Sequence, residues 1–159
     1  MLKLEGSLFK LCLFYRYGEI VLLGIKRIYE KASITDGKRI LVDGLWPRGV
    51  RRSTSNIDIW LKDIAPDEKL RKWFNHEPDK WEKFKKKYTA ELRDNAAMKN
   101  LQNRVAVEDV TLIYAASDSK RNNAVVIASL LKKPGGGKIH KDKISKIVAE
   151  DLEKELQTA

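Results

Sequence analysis

The chain has 159 residues, enough for one domain with a buried core, and 32 lysines and arginines against 22 aspartates and glutamates give it a formal net charge of +10. The single cysteine excludes an internal disulfide, and two histidines far apart without a cysteine pair indicate no metal site. The positive charge favours phosphates, nucleic acid or acidic surfaces as partners, although lysine- and glutamate-rich chains are also typical of hot environments.

The first 24 residues form an N-terminal extension of uncertain order. Their apolar run, residues 8–13, is interrupted by Lys10 and falls short of the ~20 apolar residues that a membrane-spanning helix requires. We therefore predict a cytoplasmic protein with no membrane partner. The extension itself is interpreted as an extra strand, a loosely attached segment or translation from an upstream start.

The next segments alternate between strand and helix patterns. Residues 20–30 and 38–43 predict two strands, and the short connection between them, with its Asp36-Gly37 turn signal, favours a hairpin. The apolar run 110–116 predicts a central strand, and 124–131 a helix that packs on it. The pattern indicates an α/β fold: a small parallel or mixed sheet flanked by helices, in a single domain with a C-terminal helical tail.

Several helices are predicted between the second and third strands. The spacing of Ile57, Trp60, Leu61 and Ile64 predicts a short helix, capped by a residue between 53 and 56. A second short helix is expected to start at Pro66-Asp67-Glu68. Two longer ones are predicted over residues 78–95 and 98–108 from three- and four-residue apolar spacing.

The stretch RILVDGLWPRGV, residues 39–50, is the first candidate site. A buried strand runs into Asp43, and a loop broken by glycine and proline then carries Trp46 and Arg48. In open α/β sheets, ligands bind beyond the carboxyl ends of strands. Asp43 is the candidate catalytic acid or base; alternatively it forms a salt bridge with Arg48 or Arg71 that locks the loop.

A second loop, between the central strand and its helix, is the candidate anion-binding segment. Free N–H groups at a helix N-terminus favour negative charge, and polar side chains can add donors. These residues are Ser117, Ser119, Lys120, Arg121, Asn122 and Asn123. The alternative is that Ser119, Asn122 or Asn123 only caps the helix while the two cations are solvated.

The tail after residue 133 begins with a proline and three glycines, which predict a flexible hinge. Apolar residues then recur at helical spacing, so residues 134–159 are predicted to form a Gly-hinged C-terminal helix. That helix would dock on its own domain or pair with another copy, giving a homo-oligomer. Its lysines could instead contact a nucleic-acid backbone.

Several motifs, in order and spacing, resemble the YeaO-like family, whose domain has no known function: KRIYE, RILVDGLWPRG, EKLRKWFNHEP, FKKKYTAEL and TLIYAASDSKRNNAVVIASLL. The resemblance implies a small α/β domain over residues 25–133, with Trp46, Arg71, Tyr88 and Glu91 as supporting site residues. The family pattern has arginine where this chain has Gly44, and histidine where it has Asn123. If those two residues work in the family's site, this chain lacks a cation and a titratable base.

Three functions remain open. The first is a small enzyme or ligand-binding domain for a phosphorylated or carboxylated molecule, with Asp43 and Arg48 in one pocket with Lys120 or Arg121, and His76 nearby. The second is a non-specific nucleic-acid binder. The third is a protein-interaction module in which Trp46, Trp60 and Trp73 form the interface. No sequence motif indicates a cofactor.

Overall fold

A computed structural model describes residues 12–16 and 19–132 of the chain. Within them, a five-stranded sheet has the strand order β1-β2-β5-β3-β4. Strands β2, β5, β3 and β4 run parallel, and β1 pairs antiparallel with β2 at one edge. The strands are β1 Cys12–Arg16, β2 Glu19–Arg27, β3 Lys38–Leu41, β4 Ile59–Trp60 and β5 Val110–Tyr114. The predicted α/β class is confirmed.

Two predicted segments relate differently to this sheet. The N-terminal extension was expected to end at residue 24, but β2 already begins at Glu19 and β1 lies before it. An extra strand was one of the three interpretations of this segment. The predicted C-terminal helix, residues 134–159, lies outside the residues that the structure describes.

Four α-helices follow the predicted pattern: α1 Glu68–Phe74, α2 Trp81–Leu92, α3 Ala96–Val105 and α4 Asn123–Leu131. Three of them begin at side-chain caps, where the carboxylate or amide oxygen of Asp67, Asn95 or Asn122 accepts a backbone N–H. A one-turn 3-10 helix, Pro78–Lys80, leads into α2. Short polar side chains therefore set most of the helix starts.

The helix predicted from the spacing of Ile57 to Ile64 is wrong. This segment instead forms β4 and the 3-10 helix Lys62–Ile64. The backbone N–H of Asp58 donates to the carbonyl of Arg39, and that of Leu61 to the carbonyl of Leu41. The segment thus pairs with the edge of β3, because a strand edge presents unpaired backbone N–H and C=O groups.

The predicted hairpin between β2 and β3 is also wrong. Both strands pair in parallel with β5, which lies between them. All five β5 residues are buried, which suits the middle of a parallel sheet. The connection, residues 28–37, crosses one face of the sheet and ends at Gly37, where φ is 62° and a Cβ atom would lie 2.4 Å from the carbonyl oxygen of Asp109. Only glycine fits this close approach.

The two faces of the sheet carry different cores. Alternate residues such as Ile40, Val42 and Leu112 join the large core beneath the helices. Their neighbours Leu41 and Ile113 point to the other face, which the β2–β3 connection and the loop after β3 cover. The connection therefore takes the place of a second helical layer.

A buried ion cluster anchors that connection. The Asp36 carboxylate lies 3.0 Å from the Lys26 ammonium and also pairs with the Arg39 guanidinium, and all three side chains are at most 6% exposed. The Thr111 hydroxyl donates to the Asp36 carbonyl at 2.6 Å. Burial alone would raise the pKa of Asp36, but hydrogen bonds from the Ser33 N–H, Lys26 and Arg39 outweigh it, and the pKa lies below its ordinary value.

Candidate functional site

A cavity of about 350 Å³ lies at the carboxyl ends of β3 and β5. The loop after β3, the loop between β5 and α4, and residues around α1 enclose it. Its lining combines an apolar wall with a few polar and charged groups: Tyr29, Asp43, Gly44, Leu45, Trp46, Pro47, Arg48, Ala65, Pro66, Arg71, Phe74, His76, Phe84, Ala115, Ala116, Asn122 and Asn123. Because β3 and β5 are parallel, both loops emerge at one edge, where α/β proteins bind their ligands.

Asp43 is held by hydrogen-bond donors on both carboxylate oxygens. The Asn123 amide donates to Oδ1 at 3.1 Å, and the Ala115 N–H donates to Oδ2 at 2.9 Å. The Trp60 indole N–H donates to the Asp43 backbone carbonyl at 2.8 Å. Within the described residues no cation lies within salt-bridge distance of Asp43, so the predicted salt bridge to Arg48 or Arg71 is wrong.

The pKa of Asp43 lies above its ordinary value. Burial raises this pKa, and the hydrogen bonds from Asn123 and Ala115, together with the nearby charge of His76, lower it only in part. Through these hydrogen bonds, the Asp43 carboxylate connects the end of β3 to the end of β5 and to the start of α4.

The two asparagines at the start of α4 have separate roles. The Asn122 side-chain oxygen accepts the Val125 N–H at 3.1 Å, so the capping alternative is confirmed for Asn122. The Asn123 amide donates to the Val42 carbonyl at 2.8 Å as well as to Asp43. Asn123 therefore lies directly beside Asp43.

Two arginines line the cavity without an acidic partner. The side chains of Arg48 and Arg71 are exposed, and neither forms a salt bridge with any carboxylate in the part of the chain that the structure describes. The loop that carries Arg48 is held by the Tyr29 hydroxyl, which donates to the Arg48 carbonyl at 3.1 Å. The cavity thus presents two guanidinium groups that no carboxylate of residues 12–16 and 19–132 neutralises by direct contact.

The other predicted cations lie outside this cavity. Arg121 pairs with Asp118 at 3.0 Å, and the same carboxylate accepts the Lys120 and Arg121 N–H groups. These bonds, the Lys120 N–H first, hold the pKa of Asp118 below its usual value. Neither Lys120 nor Arg121 lines the cavity, so the expectation that one of them shares a pocket with Asp43 and Arg48 is wrong. Ser117 and Ser119 do not line it either; their contact with a ligand stays a prediction.

Of the supporting residues, Trp46 and Arg71 line the cavity, whereas Tyr88 and Glu91 do not. The Trp46 indole N–H donates to the Val50 carbonyl at 2.7 Å, which closes the loop. The Glu91 carboxylate accepts the Asp67 N–H at 3.1 Å and so ties α2 to the start of α1. Burial raises the pKa of Glu91. Glu91 therefore has a structural position outside the cavity.

Tyr88 is fully buried, and its hydroxyl donates to the Ile64 carbonyl at 2.6 Å. Burial raises the pKa of this hydroxyl well above its ordinary value. Replacing Tyr88 with phenylalanine is expected to lower the free energy of unfolding by about 1 kcal/mol, because the Ile64 carbonyl loses its partner. Urea denaturation measures this change. Tyr29→Phe, which removes an exposed hydroxyl, is the matched control, and equal losses in both variants would contradict the assignment.

Sequence reasoning missed Tyr29 and the apolar wall formed by Phe74 and Phe84. Tyr29 follows the end of β2, which the predicted hairpin would have placed at the opposite edge from the end of β3. The parallel arrangement instead brings Tyr29 beside Arg48. A prediction that β2 and β3 run parallel would have placed Tyr29 at the same end of the sheet as Arg48.

The described residues contain no helix long and apolar enough to cross a membrane. They also contain no cluster of three or more histidine, cysteine, aspartate or glutamate side chains that could hold a metal ion.

A largely parallel sheet flanked by helices, with a cavity at its strand ends, makes this protein an α/β domain. The chain belongs to the YeaO-like proteins of the DUF488 family, a domain of unknown function. The matching family model is described as "Inactive DUF488-N3 subclade" and covers residues 22–145.

The curated proteins that are similar to this chain are themselves named as uncharacterized proteins. Uncharacterized protein YeaO of Escherichia coli K12 is 39% identical over 108 residues, 67% of this chain and 94% of YeaO. Uncharacterized protein Rv3073c of Mycobacterium tuberculosis H37Rv is 38% identical over 107 residues, 67% of this chain and 91% of that protein. Uncharacterized protein Mb3100c of Mycobacterium bovis is similar to the same extent. No solved structure matches the chain significantly.

Proposed function

We propose that the cavity binds a small molecule with an anionic group, either phosphorylated or carboxylated. The observation that carries this proposal is the pair Arg48 and Arg71, two exposed guanidinium groups that line one cavity and form no salt bridge with the described carboxylates. A guanidinium recognises phosphate or carboxylate through two parallel hydrogen bonds. An anion between the two arginines would supply the missing charge.

The rest of the cavity favours an apolar body on that ligand. Its walls are formed by Trp46, Pro47, Pro66, Phe74 and Phe84. A volume of about 350 Å³ lies at the small end of the range for ligand sites, which are mostly apolar with a few placed polar groups. We therefore expect an aryl phosphate or aryl carboxylate to bind more tightly than inorganic phosphate.

Binding without turnover fits the site better than catalysis. Both Asp43 oxygens already accept hydrogen bonds from Asn123 and Ala115, so this carboxylate serves to hold the loops together. The family description, "Inactive DUF488-N3 subclade", supports the same interpretation. Asp43 remains the candidate base if the protein does prove catalytic.

Thermal denaturation with phenyl phosphate, benzoate and inorganic phosphate tests the proposed ligand class. A bound anion should raise the stability by about 2.7 kcal/mol at 100 times its Kd. Phenyl phosphate should stabilise more than inorganic phosphate at equal concentration, because only phenyl phosphate covers the apolar wall. Absence of stabilisation by any anion would refute the proposal.

Replacing Arg48 or Arg71 with alanine should weaken phenyl phosphate binding about tenfold or more, since a hydrogen bond to a charged group contributes roughly 1.5–3 kcal/mol. Stability without ligand should change by less than about 0.5 kcal/mol, because both side chains are exposed. Isothermal titration calorimetry measures the affinity. Arg93→Ala is the matched control: it removes an exposed arginine outside the cavity and should leave binding unchanged.

The net charge of +10 favours nucleic acid as the alternative partner. Binding of that kind should weaken steeply with salt, with a log-log slope near −0.9 per neutralised phosphate. It should also be insensitive to Arg48→Ala and Arg71→Ala, since many lysines would share the contact. That pair of results would replace the small-ligand proposal with the nucleic-acid one.

A further inference from the structure

His76 has an unusual backbone conformation at the edge of the cavity. Helix α1 ends at Phe74 and is capped by Asn75, which has φ 46°, and His76 follows with φ 55°. Residues other than glycine seldom adopt the left-handed conformation, and when they do they usually occur singly. Asn75 and His76 are the central residues of a turn that the Glu77 N–H closes by donating to the Phe74 carbonyl at 2.9 Å. A turn with positive φ at both central residues favours glycine at the second. The turn therefore accounts for the backbone conformation of His76 but not for its side chain.

The effect of this conformation is to place the imidazole at the cavity. His76 lines the cavity together with Asp43, Arg48 and Arg71, and its ring centroid lies 5.8 Å from that of Phe74. Its charge is close enough to Asp43 to lower the pKa of that carboxyl. Within the described part of the chain the imidazole has no hydrogen bond or ion pair, and the side chain is exposed.

A strained backbone conformation persists at a site where an interaction of the side chain offsets the strain energy. A glycine would adopt the same conformation without the steric penalty but would present no side chain. The ring contact with Phe74 leaves the imidazole nitrogens without a hydrogen-bond partner among the described residues. These nitrogens are therefore available to a molecule that enters the cavity.

We propose that His76 is a ligand-binding residue, which donates a hydrogen bond to the anion held between Arg48 and Arg71. This inference rests on the proposed function, and it assigns the site a third donor. The three donors would be Arg48 on the loop after β3, Arg71 on α1 and His76, two residues after α1. They would approach an anionic group from different sides. Such a set suits a phosphoryl group, which offers three acceptor oxygens, better than a carboxylate with two.

The test compares His76→Gly with Asn56→Gly in the full chain. Asn56 is another exposed residue in the left-handed conformation, with φ 53°, but it lies outside the cavity. Both substitutions relieve the same kind of backbone strain, so the melting temperature should be unchanged or raised in both. Only His76→Gly should weaken phenyl phosphate binding, by about tenfold in calorimetry. His76→Asn, which tolerates the same backbone, should lose affinity similarly.

The outcomes separate the two proposals. If wild-type protein binds phenyl phosphate, Arg48→Ala weakens binding and His76→Gly does not, the role of His76 is overturned while the anion site stands. A marked loss of thermal stability in His76→Gly alone would show a structural role and would also overturn the inference. If wild-type protein binds neither phenyl phosphate nor inorganic phosphate, the proposed function fails and this inference fails with it.

Discussion

Replacing Asp36 with alanine is expected to lower the free energy of unfolding by about 3–5 kcal/mol, the usual range when one partner of a buried ion pair is removed. Lys26 and Arg39 would remain in the sheet interior, each about 5% exposed, without the carboxylate they share. The Ser33 N–H would also lose its acceptor. Urea denaturation measures the change.

The pH dependence of this loss follows from the lowered pKa of Asp36. A carboxyl with a lowered native pKa contributes stability that is complete above its unfolded value, near 3.9, and is lost as pH falls through the native pKa. The difference between wild type and Asp36→Ala should therefore be full at neutral pH and should shrink in acid below about pH 4.

Glu68→Ala is the control for Asp36→Ala. It removes a carboxylate from the exposed pair with Lys72 and should leave stability nearly unchanged, because solvent screens that pair. Replacing Lys26, Asp36 and Arg39 together with apolar residues of similar size should recover much of the loss, since it leaves no buried charge. Equal effects of Asp36→Ala and Glu68→Ala would contradict the assignment of the buried cluster as the anchor of the connection.

Replacing Asp43 with alanine is the second large change, with an expected loss of roughly 2 kcal/mol in the free energy of unfolding. The Ala115 N–H loses its acceptor, and Asn123 keeps only its bond to the Val42 carbonyl. The ends of β3, β5 and the start of α4 are then joined less firmly. Because Asp43 and Asn123 bond directly, Asp43→Ala and Asn123→Ala should be non-additive in a double-mutant cycle.

The pH dependence of the Asp43 effect should have the opposite sign to that of Asp36. Burial raises the pKa of Asp43, so the folded state holds its proton to a higher pH than the unfolded state. Stability contributed by this group is greatest below about pH 3.9 and falls as pH rises through the native pKa. The deficit of Asp43→Ala should accordingly be larger in acid than at neutral pH. A deficit that grows with pH would contradict the raised pKa.

The strands and the longer helices could be predicted because their patterns are local. The apolar run of β5 and the spacing of Phe84, Tyr88 and Leu92 in α2 each reflect burial along a single element. The pairing of β2 with β5 could not be predicted in this way, since it depends on a strand about 85 residues later. The same holds for β4, whose two residues become a strand only because β3 has a free edge.

The sequence predicted which two loops meet better than it predicted which side chains line the cavity between them. Asp43, Arg48, Trp46, Asn122 and Asn123 meet at one cavity because both loops follow strand ends. Charge alone could not show that Arg121 is paired with Asp118 whereas Arg48 and Arg71 have no salt bridge among the described residues. The position of Arg71 depends on how α1 packs against α2, which short helical patterns do not specify.

A crystal structure of the protein grown with phenyl phosphate tests the central claim most directly. The phosphoryl oxygens are expected about 3 Å from the guanidinium groups of Arg48 and Arg71, with the phenyl ring against the apolar wall near Trp46 and Phe74. Phenyl phosphate bound only outside the cavity, for instance beside Lys120 and Arg121, with Arg48 and Arg71 paired to protein carboxylates, would contradict it.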